Sequence, residues 1–203
     1  MNVTAIKQQA KNPERVSIFL NGKYGFSLSL NELATEKLKN GDEVDKANLV
    51  RLKKVSEDGK LRARALEWLL NRPHSTREFK DYMFRKKANP SLTESLELEF
   101  SQKGYLDDIS YGAWLVGLRQ RAGKSNRAIT AELFKKGLSR QDVARVMEGQ
   151  EESEYERLKL LISKKSRLPR YQNDPQKLAK YLVSQGFSWQ DVKEALALDN
   201  FKY

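Results

Sequence analysis

A helix-forming run, a glycine and a second helix-forming run recur along this chain. Lys136-Gly137-Leu138-Ser139-Arg140-Gln141-Asp142-Val143 returns as Gln185-Gly186-Phe187-Ser188-Trp189-Gln190-Asp191-Val192. Lys103-Gly104-Tyr105-Leu106-Asp107-Asp108-Ile109 reads as a third, weaker copy. The glycines lie 33 and then 49 residues apart, a loose period in or near the range of stacked supersecondary units. A unit of this kind cannot bury its apolar face alone and gains by docking on its neighbours. It points to an extended binding scaffold rather than to an enzyme pocket.

The first 59 residues read differently. Arg15 to Leu20 alternates in polarity, Asn21-Gly22 is a strong type I′ turn signal, and Lys23 to Leu28 alternates back. Val3 to Gln8 supplies a third strand, and Val50 to Val55 is expected to pair as well. Ser29 caps a short helix over 30–38, with Glu32 at the capping-box position and Asn40-Gly41 as its stop.

From Leu61 the apolar period becomes that of a helix. Leu61, Ala65, Trp68 and Leu69 share a face, and Arg72-Pro73 stops that helix. Ser75 caps the next, with Glu78 three residues on and Phe79, Met83 and Phe84 as its stripe. Leu92, Leu96 and Phe100 follow the Asn89-Pro90 break. The next unit holds Ile109, Trp114, Leu115 and Leu118, then Ile129, Leu133 and Phe134, then Val143, Val146 and Met147 behind Ser139. The last holds Tyr155, Leu158, Leu161 and Ile162, a break over 168–175, then Leu178, Tyr181 and Leu182, and Val192, Ala195 and Leu196 behind Ser188. The expected fold is mainly α: tandem three-helix repeats over 60–103, 104–149 and 150–203 in an elongated, curved array, with a strand-rich domain over 1–59.

Charge separates the regions further. The chain has 38 Lys+Arg against 27 Asp+Glu, and its mean hydropathy is −0.73. Such a balance favours polyanionic partners. Residues 1–59 carry ten bases and eight acids, whereas 60–90 carry nine and three, 117–145 eight and two, and 157–170 six and none. An acidic stretch, Glu148, Glu151, Glu152, Glu154 and Glu156, divides the last two. Each repeat thus has its own basic patch near its first and second helices. The expected binding residues are Arg72, Arg77, Lys80, Arg85 and Lys86; Arg119, Arg121, Lys124, Arg127, Lys135 and Lys136; and Lys164, Lys165, Arg167 and Arg170.

The chemistry-bearing motifs fail. With no cysteine and one histidine, disulfides, thiolate chemistry and structural zinc have no residues to use. His74 reads as a surface or capping-region residue. Asp107-Asp108 suits a helix N-terminus better than a metal. Ala122-Gly123-Lys124-Ser125 ends like a phosphate-binding loop, but Leu118 stands where its first glycine belongs. Trp68, Trp114 and Trp189 read as core. No catalytic residue, metal or cofactor is expected. No apolar run of 18 residues exists and no signal core precedes Lys7, so a cytoplasmic location without membrane contact is expected.

Three segments carry a family resemblance. Ala65-Leu66 with Leu69-Leu70, then Arg72-Pro73-His74-Ser75 with Glu78, looks like the opening signature of the RecX family. Gly104-Tyr105-Leu106-Asp107-Asp108 with Tyr111 and Trp114 resembles its G-Y-L-[DN]-D segment. Ile129, Glu132, Leu133 and Lys136-Gly137 resemble its I-x-x-E-L-x-x-K-G segment. The chain departs from the pattern at Asn126-Arg127 and at Lys87-Ala88, which stands where Lys-Gly belongs. The match covers about residues 61–198, and residues 1–59 resemble the extension of longer members. The resemblance implies tandem three-helix repeats and a monomeric regulator of the RecA recombinase. It implies binding in the groove of the RecA–single-stranded DNA filament, with limits on filament growth, strand exchange and co-protease activity. Direct contact with single-stranded DNA is left open. The rival reading is a non-specific DNA-binding protein of helix-turn-helix-like modules. Few Asn, Gln or Arg residues stand at its helix starts for base readout.

Overall fold

The computed structural model describes residues 1–148 and 154–197, so Glu151, Glu152 and Leu198 lie outside the described residues. The chain divides into two compact units, residues 1–71 with 86–98, and residues 72–85 with 99 onward.

The first unit opens with strands β1 Val3–Gln9, β2 Asn12–Leu20 and β3 Lys23–Ser29, antiparallel in that order. Asn21 and Gly22 have φ of 49° and 78°, the two positive values a type I′ turn requires. The register sets Val16 opposite Leu28 and Ile18 opposite Phe26, so the alternating apolar residues share one face. That face forms a core with Val3, Leu20, Val44 and Leu52. Helix α1 Leu30–Glu36 begins at Ser29, whose hydroxyl accepts from the Glu32 amide while the Glu32 carboxylate accepts from the Ser29 amide. It ends at Lys37, in the left-handed region with φ 52°, ahead of the expected Asn40-Gly41 stop. Leaving the helix there lets Leu38 pack on the sheet core.

Helix α2 Lys46–Leu70 overturns one expectation: Val50 to Val55 is helical rather than a strand. Asp45 caps α2 by accepting from the Asn48 amide, and Leu49, Leu52 and Val55 pack on the sheet core at helical spacing, leaving Val50 exposed. The helix runs unbroken through Gly59, where the Glu32 carboxylate lies against the backbone: a Cβ there would be 1.7 Å from its Oε1. The change of period at residue 60 therefore falls inside one helix.

The second unit contains α3 Thr76–Arg85, the last residues of α4 Pro90–Gln102, α5 Asp108–Arg121, α6 Asn126–Lys135, α7 Arg140–Glu148, α8 Glu154–Ser166, the single turn α9 Pro169–Gln172, α10 Pro175–Ser184 and α11 Trp189–Ala195. The expected caps Asp107, Ser139 and Ser188 each accept from an amide of the first helical turn, and Ser125 and Asp174 do the same for α6 and α10. Helices α5–α7 close on Tyr111, Leu115, Val116, Ile129, Leu133, Leu138, Val143 and Val146. Helices α8–α11 close on Leu158, Leu161, Tyr171, Leu178, Ala179, Leu182, Phe187 and Val192.

Two joints hold these helices in sequence, and they are built alike. The start of α3 sits on the turn that ends α6: Ser75 Oγ donates to the Lys136 carbonyl at 2.8 Å, and the Arg77 stem lies on Gly137. The start of α6 sits in the same way on the turn that ends α10. There the Ser125 amide donates to the Gln185 carbonyl at 3.1 Å, and Arg127 Nε to the Gly186 carbonyl at 3.1 Å. Both glycines are required. Their φ values are 93° and 102°, and a Cβ would fall 2.6 Å from Arg77 Cβ at Gly137 and 2.3 Å from Ser125 Oγ at Gly186.

Gly104 is not a third copy of this turn. It joins α4 to α5, between repeats rather than between the second and third helices of one. The first-repeat counterpart of Gly137 is Lys87, which holds a left-handed φ of 56° without being glycine.

Three core expectations also change. Phe79, Tyr82 and Met83 fill the inner face of α3, which turns Phe84 outward to 84% exposure. Phe134 is likewise exposed at the matching position of α6. Trp68, Trp114 and Trp189 are half-buried rather than core. His74, expected near the surface, is 4% exposed.

Candidate basic interface

The expected basic residues split into those used internally and those facing out. Glu78 of α3 collects the largest internal group. Arg72 Nη1 donates to its Oε2 at 2.9 Å, Lys136 Nζ to its Oε1 at 2.7 Å, and His74 Nδ1 lies 3.1 Å from Oε2. Tyr111 hydroxyl approaches Oε1 at 3.4 Å. Burial alone would raise the Glu78 carboxyl, but hydrogen bonds and charge from Lys136 and Arg72 outweigh it and bring it down to about 2. Burial first, then the Glu78 charge, pushes the Tyr111 phenol up. Ser75 Oγ accepts from the Glu78 amide at 3.1 Å, so the expected cap holds, while the Glu78 carboxylate serves a network tying α3 to α5 and α6. Nearby, the Thr76 amide donates to Asp108 at 2.8 Å, and burial raises the Asp108 carboxyl.

Other expected contacts are also engaged. Arg119 binds Glu132 through two bonds of 2.7 and 2.6 Å, and its hydrogen bond holds the Glu132 carboxyl below the usual range. The Arg72 guanidinium lies 5.3 Å from the Trp114 ring centre and that of Arg170 lies 4.6 Å from Tyr171. Arg127 serves the joint at Gly186. Arg77, Lys80, Arg85, Arg121, Lys135, Lys164 and Arg167 are exposed, as is Lys86 in the first unit. Lys124 and Lys165 are half-buried.

The second and third patches meet in one groove of about 800 Å³ between the ends of α5 and α8. Arg121 comes from one side and Lys164 and Lys165 from the other, over a floor that includes Leu160, Leu161 and Leu168. Gly123 brings the backbone close, since a Cβ there would lie 2.9 Å from the Leu161 side chain. Arg157 also lines the groove; it is 4% exposed and donates to the Asn126 side-chain oxygen, while the Asn126 backbone amide donates to the Glu154 carboxylate. The Gln120 side-chain nitrogen is buried at the same place with no hydrogen-bond partner. None of the lining residues, among those described, is acidic. The groove can hold an anionic, partly apolar surface by charge at its rim and contact at its floor. Sequence reading missed Arg157, whose side chain only the fold turns inward, and it took the outward phenylalanines for core.

No helix among the described residues is long and apolar enough to cross a membrane. No group of three His, Asp or Glu side chains among them could hold a metal ion.

Comparison with known proteins places these features. Residues 1–45 match the family model described as the regulatory protein RecX N-terminal domain. The chain is 30% identical over 201 residues to the regulatory protein RecX of Bacillus licheniformis, covering 96% of this chain and 76% of the relative. It is 29% identical over 207 residues to that of Bacillus subtilis, covering 99% and 77%. A crystal structure of regulatory protein RecX superposes with a TM-score of 0.73 at 24% identity, covering 98% of this chain and 99% of that one. The RecX structure from Lactobacillus salivarius gives 0.57 at 18% identity over 70% of this chain and 95% of that one. The last two likenesses concern the fold.

Proposed function

The chain belongs to the RecX family of regulatory proteins, and from that footing we propose that it regulates the RecA recombinase by binding the RecA–single-stranded DNA filament in its groove. Binding there limits filament growth, strand exchange and co-protease activity. The single observation that carries this reading is the relationship to RecX proteins along 96% of the chain. The acid-free basic groove between α5 and α8 supports it, because it suits an anionic surface. The repeats read from the sequence, 60–103, 104–149 and 150–203, carry the contact, and residues 1–59 orient it. The protein works in the cytoplasm as a monomer, with no cofactor and no reaction of its own.

Steady-state ATP hydrolysis by RecA on single-stranded DNA is the test. Substoichiometric protein should suppress it. The triple change Arg121→Glu, Lys164→Glu and Lys165→Glu should remove most of the effect and leave folding intact. Exposed ionic contacts contribute only about 0.2–1 kcal/mol each, so one change alone can be silent. An unchanged rate at equimolar wild-type protein would overturn the reading.

A further inference from the structure

Helices α3 and α6 align residue for residue at an offset of fifty: Ser75 with Ser125, Arg77 with Arg127, Phe79 with Ile129, Met83 with Leu133, Phe84 with Phe134, and Arg85 with Lys135. Burial confirms the alignment, because Phe79, Ile129, Met83 and Leu133 are each fully enclosed. The next position in both helices is a phenylalanine directed to solvent, 84% exposed at Phe84 and 43% at Phe134. Each is followed by an exposed base, Arg85 or Lys135, and each has an arginine seven residues before it on the same helical face. Lys80 is exposed on that face of α3 as well, with Asp81 next to it in sequence.

The third repeat lacks the device. In α10, Leu182 is buried at the position of Leu133, but Val183, Ser184 and Gln185 follow where the others have Phe-Arg-Lys and Phe-Lys-Lys. A single exposed phenylalanine needs no explanation. The same one at the same place in two repeats, each beside a base, has a stated chemistry. A flat ring accepts an unstacked base, and neighbouring cations hold the phosphates that follow.

We propose that Phe84 and Phe134 are stacking stations for the bases of a single-stranded nucleic acid, with Arg85 and Lys135 on its backbone. The first and second repeats read an open strand, and the third, with its half of the basic groove, does not. This deepens the regulatory reading above and rests on it for the filament setting. Duplex DNA presents no open base face, so these rings discriminate strand state rather than sequence.

The experiment measures anisotropy of a short fluorescent oligothymidylate titrated with full-length protein, free of recombinase. Phe84→Ala and Phe134→Ala should each weaken binding about tenfold, since one stacked base contributes about 1–3 kcal/mol. Phe→Tyr at either site should keep the affinity and Phe→Leu should not. The salt slope should stay that of wild type, because no charge is removed. Val183→Ala, an abasic strand and a duplex should show no sensitivity. Circular dichroism confirms that each variant is folded. Wild-type affinity in the double alanine variant, or no measurable wild-type affinity, overturns the proposal. If that variant binds the strand normally but no longer suppresses RecA hydrolysis, the rings contact recombinase protein instead. Failure of the regulatory reading is told apart by wild-type protein that binds the strand and leaves hydrolysis unchanged.

Discussion

The two joints of the second unit share a backbone and differ in how they are locked. At the joint of α3 on α6, Glu78 reaches across to Lys136 at 2.7 Å and holds Arg72 as well. At the joint of α6 on α10, the corresponding residues are Ala128 and Gln185, and both are neutral. One backbone hydrogen bond, the Arg127 guanidinium on the Gly186 carbonyl and a close glycine turn set the geometry at the second joint. The ion network at the first adds strength to a geometry already specified. Breaking a carboxylate that serves two cations leaves both uncompensated, whereas the second joint has no ion pair in place of Glu78 and Lys136 to break.

Replacing the glycines should have the largest effect and should strike both joints. Gly186→Ala puts a side chain at φ 102° and 2.3 Å from Ser125 Oγ, and it should cost about 3 kcal/mol. Gly137→Ala should cost about as much, because its nearest neighbour is Arg77 Cβ at 2.6 Å, which is fixed to the α3 backbone. Thermal denaturation would show this, and equal melting of either variant with wild type would break the account of the joints.

Glu78→Gln comes next and should affect one joint alone. It should lower stability by about 2–3 kcal/mol at neutral pH, by chemical denaturation, since two cations lose their partner. The effect should depend on acid. The Glu78 carboxyl is lowered in the folded state from about 4.5 to about 2, so its contribution is complete above pH 4.5 and is lost as pH falls toward 2. The gap between wild type and Glu78→Gln should therefore narrow over that window. A gap that does not change with pH would assign the loss to packing.

The smallest effect is a gain. Ala128→Glu with Gln185→Lys would copy the first lock onto the second joint. It should add about 0.5 kcal/mol, screened by salt, with each single change neutral or slightly destabilising. A double-mutant cycle measures the coupling, and no coupling would mean that the two joints are less alike than their backbones.

Most of the helical unit was legible because its signals are local. Caps such as Ser139 and Ser188 and stops such as Arg72-Pro73 act within a turn or two. The hairpin was legible for the same reason, through Asn21-Gly22. Residues 50–55 misled because Val50 and Val55 favour strands, and only the sheet face that receives Leu49, Leu52 and Val55 decides for helix. Gly104 misled because its sequence neighbourhood resembles that of Gly137 although its place between helices differs. The site was legible as charge and not as geometry. Arg119 and Lys136 look like free cations until the fold brings Glu132 and Glu78 to them. Phe84 and Phe134 look like core residues because a helical stripe does not reveal which of two adjacent positions the neighbours will cover.

Lys87 gives the column of second helices a direction of growth. At Gly137 and Gly186 the missing Cβ is the space in which the next helix start is seated. Lys87 takes the same left-handed turn but carries a Cβ where those two positions have none. A duplicated repeat inserted ahead of α3 would find no seat there unless Lys87 were first replaced by glycine. One added after α10 needs only to bring its own Lys-Gly turn to the start of that helix. The seat that glycine provides at α6 and α10 is therefore missing at the end of α3 by one residue.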